Sequence, residues 1–475
     1  MSFPSKINAP GTRLDGRNIV YPCKYLMNNK PCGFSSCSFS HDPSLMHRWK
    51  AGPGKKPCRL GPTCSYLQRG VCLFDHARHR TKVENNIWTA NRSRAMTTDL
   101  LLLTDLTTHG NVSATTTPAT IRGGEYLGSF NKLSSRSISI PGHPPLLDYP
   151  SCPLSIALSL TTPNFPTYDR SFEPLLHAIH LTSPDFNLAE TELVTTATNL
   201  RKLFVLVENK RRLSNRFDIE LRGDTMFLAG WAGDPSYGHA MGCWGWAFKT
   251  AICRFARQEG DGDGRVSHHR VEGYEFGGLR CVVQTVVDGY LCDEKCKGKQ
   301  HRDAEVSAHF ITSSSGLHIH HSGGKVPAAC LVDVRAESVH RPGEMAPEVQ
   351  RYFARRRRVY TALRCGGVFV PDGKGVLDTK NSLETWEVAN GKTLTRMTTL
   401  LRDVKKWTVA WHRAGIRRFS LVCKSDGLED AGVCKVELHA RMDGIKLVPE
   451  VTGVDGWDEK ERSSDMRGEK ERDMA

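Results

Sequence analysis

The sequence predicts a mixed α/β domain that follows small cysteine-rich modules at the N-terminus. Six of the sixteen cysteines lie within residues 21–80, and 39% of the 475 residues are hydrophobic, enough to supply a core elsewhere. Two nearly continuous β-branched runs, 279–291 and 328–336, are typical of buried strands. The stretch 382–407 has a mainly helical pattern, so strands and helices alternate in the large domain.

The positive charge is concentrated near the N-terminus. Residues 1–94 contain sixteen Lys/Arg and four Asp/Glu, a formal charge of +12, whereas the whole chain carries +14. This distribution is typical of an arm that faces nucleic acid, although a solvated tail would have the same composition. With no apolar stretch near eighteen residues and no secretory signal, we expect a nuclear or cytosolic protein that does not enter a membrane.

Two cysteine clusters have the composition of structural zinc sites. Three thiolates and one imidazole close a tetrahedral Zn²⁺ site, and the metal supplies about 10 kcal/mol or more to fold a segment without a core. Both clusters end in a Cys-x3-His step, and His79 is a spare candidate in the second. The eight predicted ligands are Cys23, Cys32, Cys37 and His41 in the first cluster, and Cys58, Cys64, Cys72 and His76 in the second.

Aromatic side chains stand two residues after five of these six cysteines. They are Tyr25, Phe34, Phe39, Tyr66 and Phe74. Bases of single-stranded RNA stack on such rings, worth about 1–3 kcal/mol per base. Both clusters resemble CCCH zinc fingers, a family that mostly reads single-stranded RNA, and the resemblance implies an RNA partner. The alternatives are that the rings pack around the metal or that the fingers bind a protein partner.

The large domain carries a second resemblance, in the stretches SHHRVEGYEFGGLRCVVQTVVDGYL and LVDVRAESVHR. They resemble a divergent fungal group related to the decapping exoribonucleases, whose fold is restriction-endonuclease-like. In that family one strand ends in Glu-x-Asp and the next carries Glu-x-Lys. The resemblance implies that the acids hold a divalent metal, Mg²⁺ or Mn²⁺, and that the lysine assists hydrolysis.

Carried over to this sequence, the motifs are incomplete. Asp288 matches the second acid of the first motif, and Val286 stands at the first. Asp333 matches the acid of the second motif, and Arg335 stands where the lysine belongs. Replacing a titratable lysine by an always-charged arginine weakens proton handling. Three interpretations stay open: a diverged nuclease, a catalytically silent relative, and an unrelated α/β domain in which Asp288 and Asp333 have ordinary structural roles.

Further elements follow from local patterns. Two short runs around residues 222–224 predict a β-hairpin. The stretch 346–365 has apolar side chains at helical spacing, interrupted by the four arginines 355–358. The segments 417–425 and 434–451 predict a return to strand structure.

The predicted organisation has six parts. They are a disordered start at 1–20, fingers at 21–45 and 54–80, a linker at 81–120, the α/β domain at 121–455, and a disordered charged tail at 456–475. We expect a zinc protein that binds single-stranded RNA and whose nuclease-like domain is not an active enzyme. The competing hypotheses are a metal-dependent RNA 5′-end hydrolase and a protein-interaction scaffold.

Overall fold

The structure is a computed structural model. The chain divides into two units, and the larger unit comprises Arg92–Ile156 and Thr162–Ala475. Every described residue belongs to this larger unit. The predictions for residues 1–91, including both fingers, lie outside the described residues. The described residues are 96–107, 118–150, 153–156, 172–208, 214–231, 244–255, 266–291, 310–338, 347–365, 367–424, 435–442 and 446–448.

The described residues form nineteen strands. In chain order they are β1 (Leu100–Thr107), β2 (Ile121–Lys132), β3 (Ser137–Gly142), β4 (Leu146–Leu147), β5 (Leu154–Ser155), β6 (Leu193–Thr196), β7 (Asn215–Arg222), β8 (Thr225–Gly230), β9 (Cys253–Arg254), β10 (Ser267–Phe276), β11 (Leu279–Val287), β12 (Gly289–Tyr290), β13 (Phe310–Thr312), β14 (His318–Gly323), β15 (Leu331–Ser338), β16 (Arg358–Cys365), β17 (Val368–Asp378), β18 (Arg418–Lys424) and β19 (Lys435–Arg441).

Five α-helices accompany these strands in the described part of the chain. They are α1 (Glu173–Thr182), α2 (Ala197–Glu208), α3 (Trp244–Ile252), α4 (Pro347–Phe353) and α5 (Lys380–Arg413). Short 3₁₀ turns precede β6 and β15, at Leu188–Glu190 and Ala328–Cys330. None of the described helices is long and apolar enough to cross a membrane.

The strands form two sheets. The first has the order β1-β19-β18-β7-β8-β6-β11-β10-β2-β3-β14-β13, and the second has the order β5-β17-β16-β15-β12-β4-β9. Both mix parallel and antiparallel pairs: β6 runs parallel to β11, whereas β10 is antiparallel to β11. The mixed α/β class predicted from the sequence is confirmed. The chain passes from the first sheet to the second between β11 and β12.

Helices cover both faces of the first sheet. Helices α2, α4 and α5 pack on one face, and α1 packs on the other. Neighbouring residues of β6 show the alternation, because Leu193 belongs to the first core and Val194 to the second. Both side chains are almost completely buried. A central strand that is covered on both faces has a nearly continuous apolar sequence. The run 279–291 has this pattern, and it contains β11, the neighbour of β6.

Several sequence predictions are confirmed. β7 and β8 form the predicted antiparallel hairpin, and Gly223 has a φ of +52° in its turn. The run 328–336 overlaps β15 (Leu331–Ser338), and the long helical pattern corresponds to α5. β18 and β19 pair where strands were predicted. In each case the local pattern agrees with the tertiary environment.

Two predictions need correction. The helix predicted over 346–365 ends at Phe353, Arg355 has a φ of +52°, and Arg358–Cys365 is strand β16. β16 pairs in parallel with β15, and this pairing overrides the local helical spacing. Leu100–Thr107, in the predicted linker, is strand β1 and pairs with β19. A leucine-rich segment beside an open sheet edge gains more from pairing than from remaining a linker.

Candidate functional site

The structure brings the two predicted acids together where the sheets meet. Asp288 is the residue between β11 and β12. β12 is antiparallel to β15, with Gly289 opposite Val332, so one step along this register places Asp288 opposite Asp333. The backbone N–H of Val334 donates a hydrogen bond of 3.0 Å to Asp288 Oδ2. Two acids 45 positions apart in the sequence therefore lie opposite each other in the fold.

Lys249 of helix α3 completes this site, and sequence reasoning missed it. Its Nζ donates a hydrogen bond of 2.6 Å to Asp288 Oδ1. The Asp288 side chain is 9% exposed and that of Lys249 is 36% exposed, so solvent can reach the pair from the lysine side. The one available signal was a single cation within the otherwise apolar helix WGWAFKTAI.

Aromatic packing holds α3 in the orientation that delivers Lys249. Phe248 is fully buried and stacks on Phe369 of β17 with ring centroids 4.6 Å apart and planes 7° from parallel. Ile252, four residues on, is buried on the same face of the helix. Helix α3 also contacts β15, the strand that carries Asp333. The neighbouring Lys249 is thereby fixed against the acid pair.

Arg335 neutralises the second acid. Its Nε and Nη2 each donate to Asp333 Oδ2 at 3.2 Å. The two residues are separated by one position on β15, so both side chains lie on the same face of the strand. The arginine that stands at the lysine position of the family motif is therefore committed to an ion pair with Asp333.

Burial and charge shift the acid pKa values in opposite directions. Burial, reinforced by Asp333, raises the pKa of Asp288 to about 6 although Lys249 opposes the shift. Burial also acts to raise the pKa of Asp333, but Lys249 and Arg335 outweigh it and the pKa is lowered. The pKa of Lys249 is raised despite burial, because Asp288 and Asp333 stabilise the ammonium. Lys249 and Arg335 thus each bond one of the two acids, Lys249 to Asp288 and Arg335 to Asp333.

The described residues do not fit a divalent metal. Mg²⁺ requires near-octahedral oxygen coordination, and an ammonium already bonds Asp288 here. Within the described residues, no group of three or more His, Cys, Asp or Glu side chains could hold a metal ion. Val286 is a half-exposed apolar side chain where the family has an acid. The acid pair is therefore a closed charge cluster in this arrangement.

A second buried ion group contains one member of the arginine run. Arg270 Nε lies 2.6 Å from Glu272 Oε1, and Arg356 Nη1 lies 3.9 Å from the same oxygen. Arg356 Nη2 donates to Thr285 Oγ1 at 2.8 Å. Arg356 is buried, so the run 355–358 is not one solvated helix face.

The remaining predicted site residues lie outside the described residues. They are the zinc ligands Cys23, Cys32, Cys37, His41, Cys58, Cys64, Cys72 and His76, and the aromatic residues Tyr25, Phe34, Phe39, Tyr66 and Phe74. Their roles stay predictions.

The large domain is similar to solved structures of Rai1 and Dxo1 proteins. Schizosaccharomyces pombe Rai1 in complex with 3′-FADP is 12% identical, with 72% of this chain and 100% of that chain covered and a TM-score of 0.46. Scheffersomyces stipitis Rai1 with (3′-NADP)⁺ and calcium is 10% identical, with 75% and 100% covered and a TM-score of 0.47. Kluyveromyces lactis Dxo1 with manganese is 9% identical, with 73% and 98% covered and a TM-score of 0.41.

The family assignment comes from sequence. None of the curated proteins matches this chain. Residues 106–417 match the family described as Domain of unknown function (DUF8563), and this stretch extends from the end of β1 to the residue before β18. Because the match spans well over half of the chain and includes Lys249, Asp288 and Asp333, the protein belongs to the DUF8563 family.

Proposed function

We propose that this protein binds single-stranded RNA and that its nuclease-like domain does not hydrolyse it. The absence of hydrolysis is inferred from the 2.6 Å contact between Lys249 Nζ and Asp288 Oδ1. An ammonium bonds the acid pair in which a metal-dependent nuclease would hold its divalent ion. The domain keeps the two facing acids but uses them within a charge cluster of its own residues.

Competition with the ammonium supports catalytic silence. A metal ion would have to displace Lys249 from Asp288 and also compete with Arg335 for Asp333. Breaking a buried ion pair by removing one partner typically costs about 3–5 kcal/mol, although the partial exposure of Lys249 reduces that cost here. Within the described residues no third His, Cys, Asp or Glu joins the acid pair as a ligand, so Asp288 and Asp333 would have to hold a metal ion with water completing its coordination.

RNA binding is assigned to the N-terminal region in this proposal. The two predicted Zn²⁺ sites would fold residues 21–45 and 54–80, so that their aromatic side chains stack on bases. The formal charge of +12 on residues 1–94 would neutralise phosphates. The motif spacing and the charge support this assignment, and zinc chelation should abolish the binding if the fingers must be folded.

A metal-dependent RNA 5′-end hydrolase is the second candidate. The observation that favours it is the register of β12 and β15, which places Asp288 and Asp333 opposite each other on adjacent strands. In this alternative Lys249 would leave Asp288 when RNA and metal bind, and the fingers would deliver the substrate.

One experiment separates the two candidates. Full-length protein is mixed with 5′-triphosphorylated, 5′-monophosphorylated and capped RNA in Mg²⁺ or Mn²⁺, and both anisotropy and product formation are followed. Our proposal predicts binding that disappears on zinc chelation, with no products above those of the Asp288→Asn/Asp333→Asn double variant. Metal-dependent products that this double variant lacks would establish the hydrolase. Absence of RNA binding would favour a protein-interaction scaffold.

A further inference from the structure

Helix α5 carries a concentration of positive charge that neither the acid pair nor the core explains. From Lys392 to its end at Arg413, the helix contains six Lys/Arg and a single acid, Asp403, a formal charge of +5. The whole segment 95–475 carries only +2, so the rest of that segment is net negative. A local excess of one sign on a surface creates a field that attracts oppositely charged partners.

The helical period separates buried from exposed side chains on α5. Leu394, Leu401 and Val404 are buried in the first core. The opposite face also exposes the acid Asp403, and four of its exposed cations form what we call the α5 basic stripe: Lys392, Arg396, Lys406 and Arg413. At 1.5 Å per residue the stripe extends over about 30 Å of helix.

The stripe cations have no role within the described structure. Lys392, Arg396, Lys406 and Arg413 make no ion pair or side-chain hydrogen bond with the described residues. Two other cations of α5 are engaged: Lys405 Nζ lies 3.1 Å from Glu192 Oε1, and Arg402 donates to the carbonyl of Gly277. The helix thus contains cations that stabilise the fold and cations that do not.

Helix stability does not account for the stripe. Lys392 and Arg396 are four residues apart, a spacing at which like charges repel on a helix surface. Only Arg413 lies in the last turn, where a cation interacts favourably with the helix dipole. The other stripe cations are therefore available to bind an anion outside the described structure.

An exposed indole borders the stripe. Trp407 follows Lys406 and is 39% exposed, whereas Trp411, one turn later, packs against the first core. A tryptophan beside unpaired cations combines the two elements of a single-stranded nucleic-acid surface, a stacking ring and phosphate-binding charges.

We propose that the α5 basic stripe binds the phosphate backbone of single-stranded RNA, with one base stacked on Trp407. This inference rests on the proposed RNA-binding function and adds a contact surface on the large domain. The linear arrangement of cations matches the repeated charges of a polyanion. A lipid surface fits less well because α5 buries its apolar face in the core and exposes its large apolar side chains, Val388 and Trp407, nineteen residues apart.

The test compares two triple variants of the full-length protein. Lys392→Ser/Arg396→Ser/Lys406→Ser removes stripe charges, and Arg122→Ser/Arg136→Ser/Lys374→Ser removes equal charge from exposed cations elsewhere. Affinity for a 20-nucleotide single-stranded RNA is measured over a salt series. We expect the stripe variant to bind about 10- to 100-fold more weakly at 0.1 M salt and to lower the log–log salt slope by about 2. The control variant should change neither quantity comparably.

Three outcomes overturn the inference in distinguishable ways. Equal losses in both triple variants would leave the proposed RNA binding intact but remove any special role of α5. No binding by the wild-type protein would reject the proposed function together with this inference. Stripe-dependent binding to anionic phosphatidylserine vesicles without an effect on RNA would assign α5 to a membrane surface. A separate Trp407→Ala variant should weaken RNA binding about tenfold while its melting temperature stays unchanged.

Discussion

Two buried carboxylate clusters, one within the first sheet and one where the two sheets meet, differ in their access to solvent and in their cations. In the first sheet Asp218 Oδ1 lies 2.8 Å from Arg216 Nε, and Asp218 Oδ2 lies 3.2 Å from Arg441 Nη1. The side chains of Asp218 and Arg441 are both 0% exposed. At the junction of the sheets Asp288 is bonded by Lys249, whose side chain is 36% exposed.

The difference lies in access and in the kind of cation. Arginine remains protonated at any physiological pH, so the Asp218 cluster is permanently paired. Lysine is a point charge on a flexible stem and can leave its partner more readily. The Asp218 cluster therefore serves the fold, whereas the Lys249–Asp288–Asp333 cluster retains the position and part of the accessibility of a functional site.

The largest expected loss of stability follows from a change in the Asp218 cluster. Asp218→Ala leaves Arg216 and Arg441 without their carboxylate and should lower the free energy of unfolding by about 3–5 kcal/mol. Urea denaturation followed by tryptophan fluorescence measures the change. Asp148→Ala is the matched control, because Asp148 pairs with Arg254 at the surface and should cost less than about 1 kcal/mol. Similar losses in both variants would contradict the distinction between the clusters.

We expect Lys249→Met to lower the free energy of unfolding by about 2 kcal/mol at pH 8. This loss is smaller than that of Asp218→Ala because the lysine is only partly buried. The raised pKa of Asp288, about 6, lies above that of an unfolded aspartate, so its contribution to stability falls as pH rises through roughly 4 to 6. Without Lys249 this pKa rises further, and the loss continues above pH 6. The stability difference from wild type should therefore grow between pH 5 and pH 8.

The control for this pH series is Lys380→Met. Lys380 lies on α5 with an exposed partner, Glu384, at 3.8 Å. It should change stability by less than about 0.5 kcal/mol at either pH. A Lys249→Met difference that stays constant between pH 5 and pH 8 would mean that Asp288 does not gain a proton when the ammonium is removed.

The smallest effect is expected at the edge of the cluster. Arg335→Met removes two hydrogen bonds of 3.2 Å to Asp333 but leaves Lys249 in place, and should cost about 1 kcal/mol. Arg254→Met, at an exposed pair, provides the lower bound. Thermal unfolding of both variants gives the comparison. A loss at Arg335 as large as that at Lys249 would show that Asp333, and not Asp288, anchors the cluster.

Sequence reasoning identified the acids but not their cation. Asp288 and Asp333 were identified through the resemblance to the decapping-exoribonuclease motifs, and the β-branched runs that contain them predicted buried strands. Lys249 lies 39 positions before Asp288 on a separate helix. Its approach to the acids depends on Phe248 stacking on Phe369, a tertiary contact that no local pattern reports.

A tertiary contact also explains why the helix predicted over 346–365 does not continue through the four arginines. Residues 346–365 have apolar side chains at helical spacing on both sides of the four arginines, yet the helix ends before Arg355 because Arg358–Cys365 pairs with β15. Arg356 then enters the interior to bond Thr285. Hydrophobic periodicity indicates which residues favour burial. Here the segment forms a strand and not a helix because it pairs with β15, which ends about twenty residues earlier in the chain.

A manganese titration tests the central claim most directly. Mn²⁺ binding is measured by electron paramagnetic resonance for the wild-type protein, Lys249→Ala, and each of these combined with Asp288→Asn. We expect the wild type to bind no Mn²⁺ that depends on Asp288, and Lys249→Ala to gain one equivalent that Asp288→Asn removes. An Asp288-dependent Mn²⁺ site in the wild-type protein would contradict the claim that Lys249 takes the place of the metal.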